Sequence, residues 1–260
     1  MNEKLSILVS SCDAYFDTWH PFFTLLKKYW KNIESYPIYL CTESKKFSFS
    51  GLNIICPLNI HRESKWSENL IKILKYINSE YVLFMLDDFW LQSPVRVDVI
   101  ENCINYLDSD SNIGFICLIY QKRGPKYESQ YYELLKRGKH VPFRITTQAG
   151  IWRRKYLLKI LRKHESAWEF ETRATWRSKF YKEDIYVLKK EERNVFVYPV
   201  GGVLWGGKYL KEHVDSYQDE SIELNLLRDI RNKNDITTNN LNRRTLKYMV
   251  SIIKSIMPKW

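Results

Sequence analysis

Short apolar runs alternate with amphipathic stretches along this chain, and the alternation sets out its architecture. Leu5–Ser10, Pro37–Cys41, Leu52–Cys56, Tyr81–Leu86 and Ile113–Tyr120 have the length and composition of buried strands. Apolar residues recur at helical spacing over Phe22–Trp30, with Lys27, Lys28 and Lys31 in the last turn, where cations suit the helix dipole. A second helix is expected over Trp66–Ile77, capped by Ser64, with Leu70, Ile73, Leu74 and Ile77 on one face. A third is expected over Val97–Leu107, and a late strand over Val195–Val200. Strands alternating with helices predict an α/β domain with a mainly parallel sheet flanked by helices. The polar, Asn-rich stretch Thr237–Arg244 reads as a linker into a helical C-terminal tail, Leu246–Met257. The expected division is one domain over residues 1–236 and a basic amphipathic helix within 237–260.

The strand Tyr81–Leu86 stops at Asp87-Asp88, followed at once by Phe89-Trp90. Adjacent carboxylates at the end of a core strand are costly unless solvated, hydrogen-bonded or metal-bound. In open α/β sheets, ligands bind outside the carboxyl ends of the strands, where this pair falls. The earlier strands also end polar or acidic, at Ser11-Cys12-Asp13 and Thr42-Glu43. No G-x-G-x-x-G follows the first strand, which argues against a Rossmann dinucleotide site. An acidic edge suits a nucleotide whose base and ribose are held by carboxylates, with a divalent cation bridging carboxylate and diphosphate.

Composition narrows the classes. A chain of 260 residues fits one large domain or one with a short appendage. No window is apolar for the length of a membrane span, and the apolar run after Lys4 is too short for a secretory signal. The five cysteines form no CxxC pair and lie mostly in apolar runs, as buried thiols of a reducing, cytoplasmic compartment do. The net charge of +11 suggests attraction to polyanions: nucleic acid, anionic lipid or phosphorylated substrates. Nucleic-acid binding would want basic residues interleaved with aromatics on a sheet face, whereas these strands end in carboxylates that repel phosphate.

With Ser10-Ser11-Cys12-Asp13, Leu86-Asp87-Asp88 and Trp168-Glu169-Phe170-Glu171 in view, the chain resembles the GT-A glycosyltransferases from about Leu5 to Lys208. It resembles especially the small bacterial enzymes that build capsule or lipopolysaccharide. The resemblance implies a GT-A-like, Rossmann-related fold with Mn²⁺ or Mg²⁺ on Asp88 and the sugar or ribose beside Asp87. It also implies that Asp13 and Glu43, with Ser11 nearby, hold the nucleotide. Leu86 stands where a full D-x-D has its first Asp, a departure from the family's pattern.

Two further constellations bear on a transfer reaction. Gln148-Ala-Gly-Ile-Trp152 precedes Ser166-x-x-Glu169, a capping box that sets Glu169 at a helix start. An inverting transfer needs a carboxylate to take the acceptor's proton, and Glu169 and Glu171 are the candidates. On a helix they diverge by about 200°, so only one faces the sugar. Gln148, Trp152 and Trp168 are candidate acceptor contacts, although a buried Trp is more often core. Gly202 to Lys208 spells G-x-x-x-x-G-K, but Tyr209 follows where a P-loop needs Ser or Thr. A lid whose amides and Lys208 touch phosphate is the alternative, and a simple turn competes with it. The family resemblance makes the late His213 a candidate second metal ligand.

The leading expectation is a glycosyltransferase moving a sugar from a nucleotide-sugar donor to a saccharide or lipid-linked acceptor in surface polysaccharide synthesis. Nucleotidyl transfer to a sugar phosphate is the enzymatic alternative, and a nucleic-acid-binding protein the non-enzymatic one. From Thr237 onward the chain has no acidic residue, while Leu246, Met249, Val250, Ile253 and Met257 recur at helical spacing. That pattern fits a helix lying on the inner face of the cytoplasmic membrane, or one docked on the domain.

Overall fold

The structure is a computed structural model that describes residues 4–57, 64–122, 124–190, 194–199, 201–217, 220, 222 and 228–232. The linker and tail expected over 237–260 lie outside these residues. The early strands are β1 (Leu5–Ser10), β2 (Ile38–Leu40), β3 (Ile54–Ile55), β4 (Tyr81–Leu86) and β5 (Ile113–Cys117). They are followed by β6 (Lys126–Glu128), β7 (Leu134–Arg137), β8 (Gly150–Arg153) and β9 (Asp184–Leu188). All nine form one sheet in the order β3-β2-β1-β4-β8-β5-β9-β7-β6. The half from β3 to β4 is parallel. Beyond it β8 runs against both β4 and β5, and β7 against both β9 and β6, so the sheet is mixed.

Alternate residues feed two cores, one per face, as strands buried on both sides require. Ile7 and Val9 of β1, with Leu83 and Met85 of β4, meet α1 (Phe16–Tyr29) and α3 (Val97–Ser109). Leu8, Val82 and Phe84 meet α2 (Trp66–Tyr76), α4 (Arg154–Ile160) and α5 (Ala167–Arg177). A short second sheet of β10 (Leu204–Trp205), β11 (Lys208–Leu210) and β12 (Ile230–Arg231) accompanies α6 (Lys211–Asp215).

Four local expectations change. Helix α1 starts at Phe16, because buried polar Asp17 and Thr18 broke the apolar periodicity that first appears at Phe22. Helix α2 has Lys65, not Ser64, at its N-cap, with no side-chain cap. The third strand is only two residues long. Residues 194–199 form no strand: Val195 N–H bonds Leu118 O and Val197 O accepts from Gln92, so the segment threads between two loops.

Candidate active site at the ends of β1, β2 and β4

A cavity of about 540 Å³ opens at the carboxyl ends of β1, β2 and β4. Asp87 and Asp88 lie on its floor, with Ser10 to Cys12 and Glu43 from the neighbouring strand ends. Trp66, Asn69 and Leu70 of α2 form one wall, and Leu204, Gly206 and Gly207 of the small sheet another. The location follows from topology, since parallel strands bring their ends to one edge.

The two aspartates are held differently. Asp87 is 6 % exposed, and its Oδ2 accepts from the Ser11 hydroxyl and, at 3.0 Å, from the Thr18 hydroxyl. The Trp19 indole N–H donates to Ser11 Oγ at 2.6 Å, which orients that hydroxyl towards the carboxylate. Burial outweighs these bonds and pushes the Asp87 carboxyl up to about 6. Asp88 Oδ1 is out of solvent and has no hydrogen-bond partner among the described residues. Burial, then the Asp87 charge, push Asp88 well above the usual carboxylate range.

Gly202 packs directly on this carboxylate. A Cβ there would lie 2.1 Å from Asp88 Oδ2, and the residue sits at φ +82°, a conformation that suits only glycine. Val203 N–H donates to the Asp88 carbonyl at 3.0 Å, fixing the turn against the strand end. His213 Nδ1 donates to Gly202 O at 2.8 Å. The ring therefore braces the turn behind Asp88. Among the described residues no group of three or more His, Cys, Asp or Glu is placed to hold a metal, so His213 is not paired with Asp88 in a ligand cluster.

Asp13 and Glu43 clamp each other. The Asp13 carboxylate accepts from the backbone N–H groups of Glu43 and Ser44, each at 2.9 Å, and its own N–H donates to Glu43 Oε2 at 2.5 Å. Burial would raise the Asp13 carboxyl, but the Ser44 hydroxyl and these amides hold it below the usual range. Glu43 lines the cavity; Asp13 instead ties the loop after β1 to the loop after β2. Lys208 does not reach the cavity: its Nζ pairs with Asp229 at 2.6 Å on the surface, while Gly206 and Gly207 form the wall.

The residues expected to contact an acceptor are also placed differently. Trp152 is 1 % exposed, stacked on Phe115 at 3.9 Å between ring centroids, and belongs to the core. It lies on β8, whose neighbours on both sides bury it, so it cannot stack on a sugar. Gln148 Oε1 accepts from Tyr198 at 3.0 Å, and Tyr198 stacks on Phe89 beside the aspartates. Trp168 is 40 % exposed, packs on Phe143 and adjoins Ala167 of the cavity wall.

Glu169 completes the capping box with Ser166 and pairs with Arg173 at 2.8 Å. Burial would raise its carboxyl, but the Ser166 bonds and Arg173 hold it below the usual range. A lowered carboxylate is a weak base. Glu171 Oε1 accepts from Thr147 N–H at 2.6 Å and from the Thr146 and Thr147 hydroxyls, stapling α5 to the segment before β8.

Sequence reasoning did not single out Tyr15, Trp66 or Asn69. Asn69 Oδ1 is buried, has no hydrogen-bond partner among the described residues, and its residue lines the cavity. Trp66 and Asn69 are three apart on α2, which puts both on the face towards the site, a spacing visible in the sequence.

No protein-family profile matches the chain, and no curated protein matches it. Similar solved structures include residues 1–349 of Staphylococcus aureus TarS, with 14 % identity over 72 % of this chain and a TM-score of 0.49. This chain spans 58 % of that structure's length. The same fragment in complex with UDP gives 12 % identity over 97 % of this chain and 81 % of that one, TM-score 0.48. A cytidylyltransferase from Leptospira borgpetersenii gives 9 % identity over 100 % of each chain, TM-score 0.48. At these values function is derived from the cavity and its side chains.

Proposed function

We propose that the chain is a GT-A-type glycosyltransferase that uses a nucleotide-sugar donor. One observation carries this: a buried carboxylate oxygen, Asp88 Oδ1, unpartnered among the described residues, on the floor of a nucleotide-sized cavity at the sheet's switch edge. A carboxylate so placed calls for a cation. Mn²⁺ or Mg²⁺ fits the oxygen donor, with Asp88 as its protein ligand, Asp87 behind it, and the remaining positions left to diphosphate and water oxygens. When bound, such a cation neutralises charge on the leaving diphosphate.

The rest of the cavity suits a nucleoside. Trp66 offers a ring face and Asn69 an acceptor left unsatisfied among the described residues, and Glu43 lines the same cavity. Asp87 orients the sugar or ribose through the fixed Ser11–Thr18 pair. The acceptor, saccharide or lipid-linked, approaches from the side of Gln148 and Trp168, where Trp168 presents its exposed ring. Among the described residues no helix is long and apolar enough to cross a membrane. Surface polysaccharide synthesis, with residues 246–260 resting on the membrane, completes the proposal.

The test is thermal melting against a panel of nucleotide sugars, UDP-GlcNAc first, with and without Mn²⁺. A nucleotide sugar that stabilises only with the cation is expected, and Asp88→Asn should abolish that dependence. Release of nucleoside diphosphate on transfer separates this activity from nucleotidyl transfer, which releases pyrophosphate. A panel without any stabilising nucleotide overturns the proposal.

A further inference from the structure

Arg228 joins the small-sheet wall of the cavity to the segment that follows β1, and no motif pointed to it. Its Nε donates to Asp17 Oδ2 at 2.8 Å and its Nη2 to Asp17 Oδ1 at 2.8 Å. Nη1 donates to Gly207 O at 3.2 Å, and Nη2 also reaches Ala14 O. The guanidinium lies 4.4 Å from the Tyr15 ring centroid. Tyr15 and Gly207 both line the cavity, on opposite sides of the contact. Tyr209 adds a second tie, its hydroxyl donating to Asp17 Oδ2 at 3.0 Å.

Each guanidinium nitrogen donates within the protein, so this arginine is engaged as a strap rather than presented to a ligand. The Asp17 side chain is 2 % exposed and that of Arg228 15 %, so the pair is little screened by water. By contrast the neighbouring Lys208–Asp229 pair is surface-exposed and holds little. Through Asp17, the fork of Arg228 and the Tyr209 hydroxyl together tie the small sheet to the start of α1.

We propose that Arg228 is a positioning residue: through Asp17 and Gly207 it holds the Gly206–Gly207 wall against the cavity and so sets donor affinity, given that the cavity takes a nucleotide sugar. The planar fork matters, because three separate acceptors must be met at once. Lysine can keep the Asp17 pair but not the carbonyls of both Ala14 and Gly207.

The test compares the full chain with Arg228→Lys, Arg228→Met and the double variant Asp17→Asn/Arg228→Met. The double variant removes both charges, so it stays informative if Arg228→Met alone fails to fold with Asp17 left buried and unpaired. Backbone hydrogen exchange is read first, without nucleotide. Faster exchange confined to 202–210 and 13–17 is expected in the Met variants, with Arg228→Lys between them and wild type. Binding of uridine, guanosine, adenosine and cytidine diphosphates with Mn²⁺ is read next. The nucleotide that wild type binds should bind about 10-fold or more weakly in the folded Met variants, a change of about 1.4 kcal/mol or more, with kcat moved less than KM. Unchanged exchange overturns the strap, as does faster exchange with unchanged binding. If wild type binds none of the four, the glycosyltransferase proposal fails, and the exchange result alone decides whether Arg228 holds the wall.

Discussion

Stability in metal-free buffer should fall as pH rises through the range where Asp87 ionises, and Asp87→Asn isolates that effect. The rise of the Asp87 carboxyl from 3.8 to about 6 corresponds to about 3 kcal/mol of differential stability. The sign follows from proton binding. Between the two values the folded chain holds a proton that the unfolded chain has lost. Folding is therefore favoured below pH 3.8, and that contribution is lost as pH passes about 6. Asp88 works in the same direction, and the two titrate as a coupled pair. Carboxylates held low, such as Asp13 and Asp108, act in the opposite sense, so only a difference between variants is clean. The gap in stability between Asp87→Asn and wild type should widen in the mutant's favour by about 2.4 kcal/mol from pH 4 to pH 7, since the unfolded carboxyl is already partly ionised at pH 4. For a chain of this size that is roughly 5–10 °C in Tm. Thermal melts at pH 4 to 7.5 in EDTA measure it, and Mn²⁺ should narrow the gap at the upper end by binding the ionised pair. A gap that stays constant with pH would show that Asp87 is ionised at no cost and refute this account of its burial.

Three other outcomes are expected. Gly202→Ala places a Cβ against Asp88 Oδ2 at a left-handed φ; it should cost about 1–2 kcal/mol in backbone strain and about 10²-fold in turnover by displacing the carboxylate, which melts and initial rates on the same preparation would measure together. Glu169→Gln should lower stability by about 1 kcal/mol through the weakened cap and Arg173 pair, with turnover per folded molecule unchanged; a loss of 10²-fold or more would instead make Glu169 the base. Truncation after Asn240 should abolish sedimentation with anionic liposomes, each Lys or Arg of the tail contributing roughly 1 kcal/mol to attachment; equal binding of both forms would assign the contact elsewhere.

The half of the fold from β1 to β4 was legible because β1 and β4 are buried on both faces and carry dense apolar runs. Leu5–Ser10 and Tyr81–Leu86 are strands over the very residues expected, and Asp87-Asp88 lies at the edge where the topology places ligands. The second half was harder to read. Strand β8 is four residues long, and its Trp152, taken for a sugar contact, pairs across from Phe115 inside the sheet. Periodicity cannot separate such a residue from an exposed platform, since only the neighbouring strands decide it. The roles of Asp13 and Lys208 were misjudged for a related reason. Each meets a local partner, Ser44 or Asp229, whose proximity depends on how the loops return. Arg228 and Asp17 are 211 residues apart, and no local pattern links them.

The antiparallel insertion of β8 between β4 and β5 makes the chain modular. The polypeptide leaves the middle of the sheet at the end of β5, runs to the far edge as β6 and β7, and returns at β8. The points of departure and return are adjacent: Leu118 N–H bonds Ala149 O at 2.9 Å. The excursion is thus pinned at both ends by the sheet, and in its middle by the pairing of β7 with β9. The loops that join β5 to β6 and β7 to β8 can change length while these anchors hold, since the entropic cost of a longer loop grows only logarithmically. The strand ends that carry Ser11, Glu43, Asp87 and Asp88 lie outside these loops. Changes of length there should therefore leave the aspartate cavity as it is.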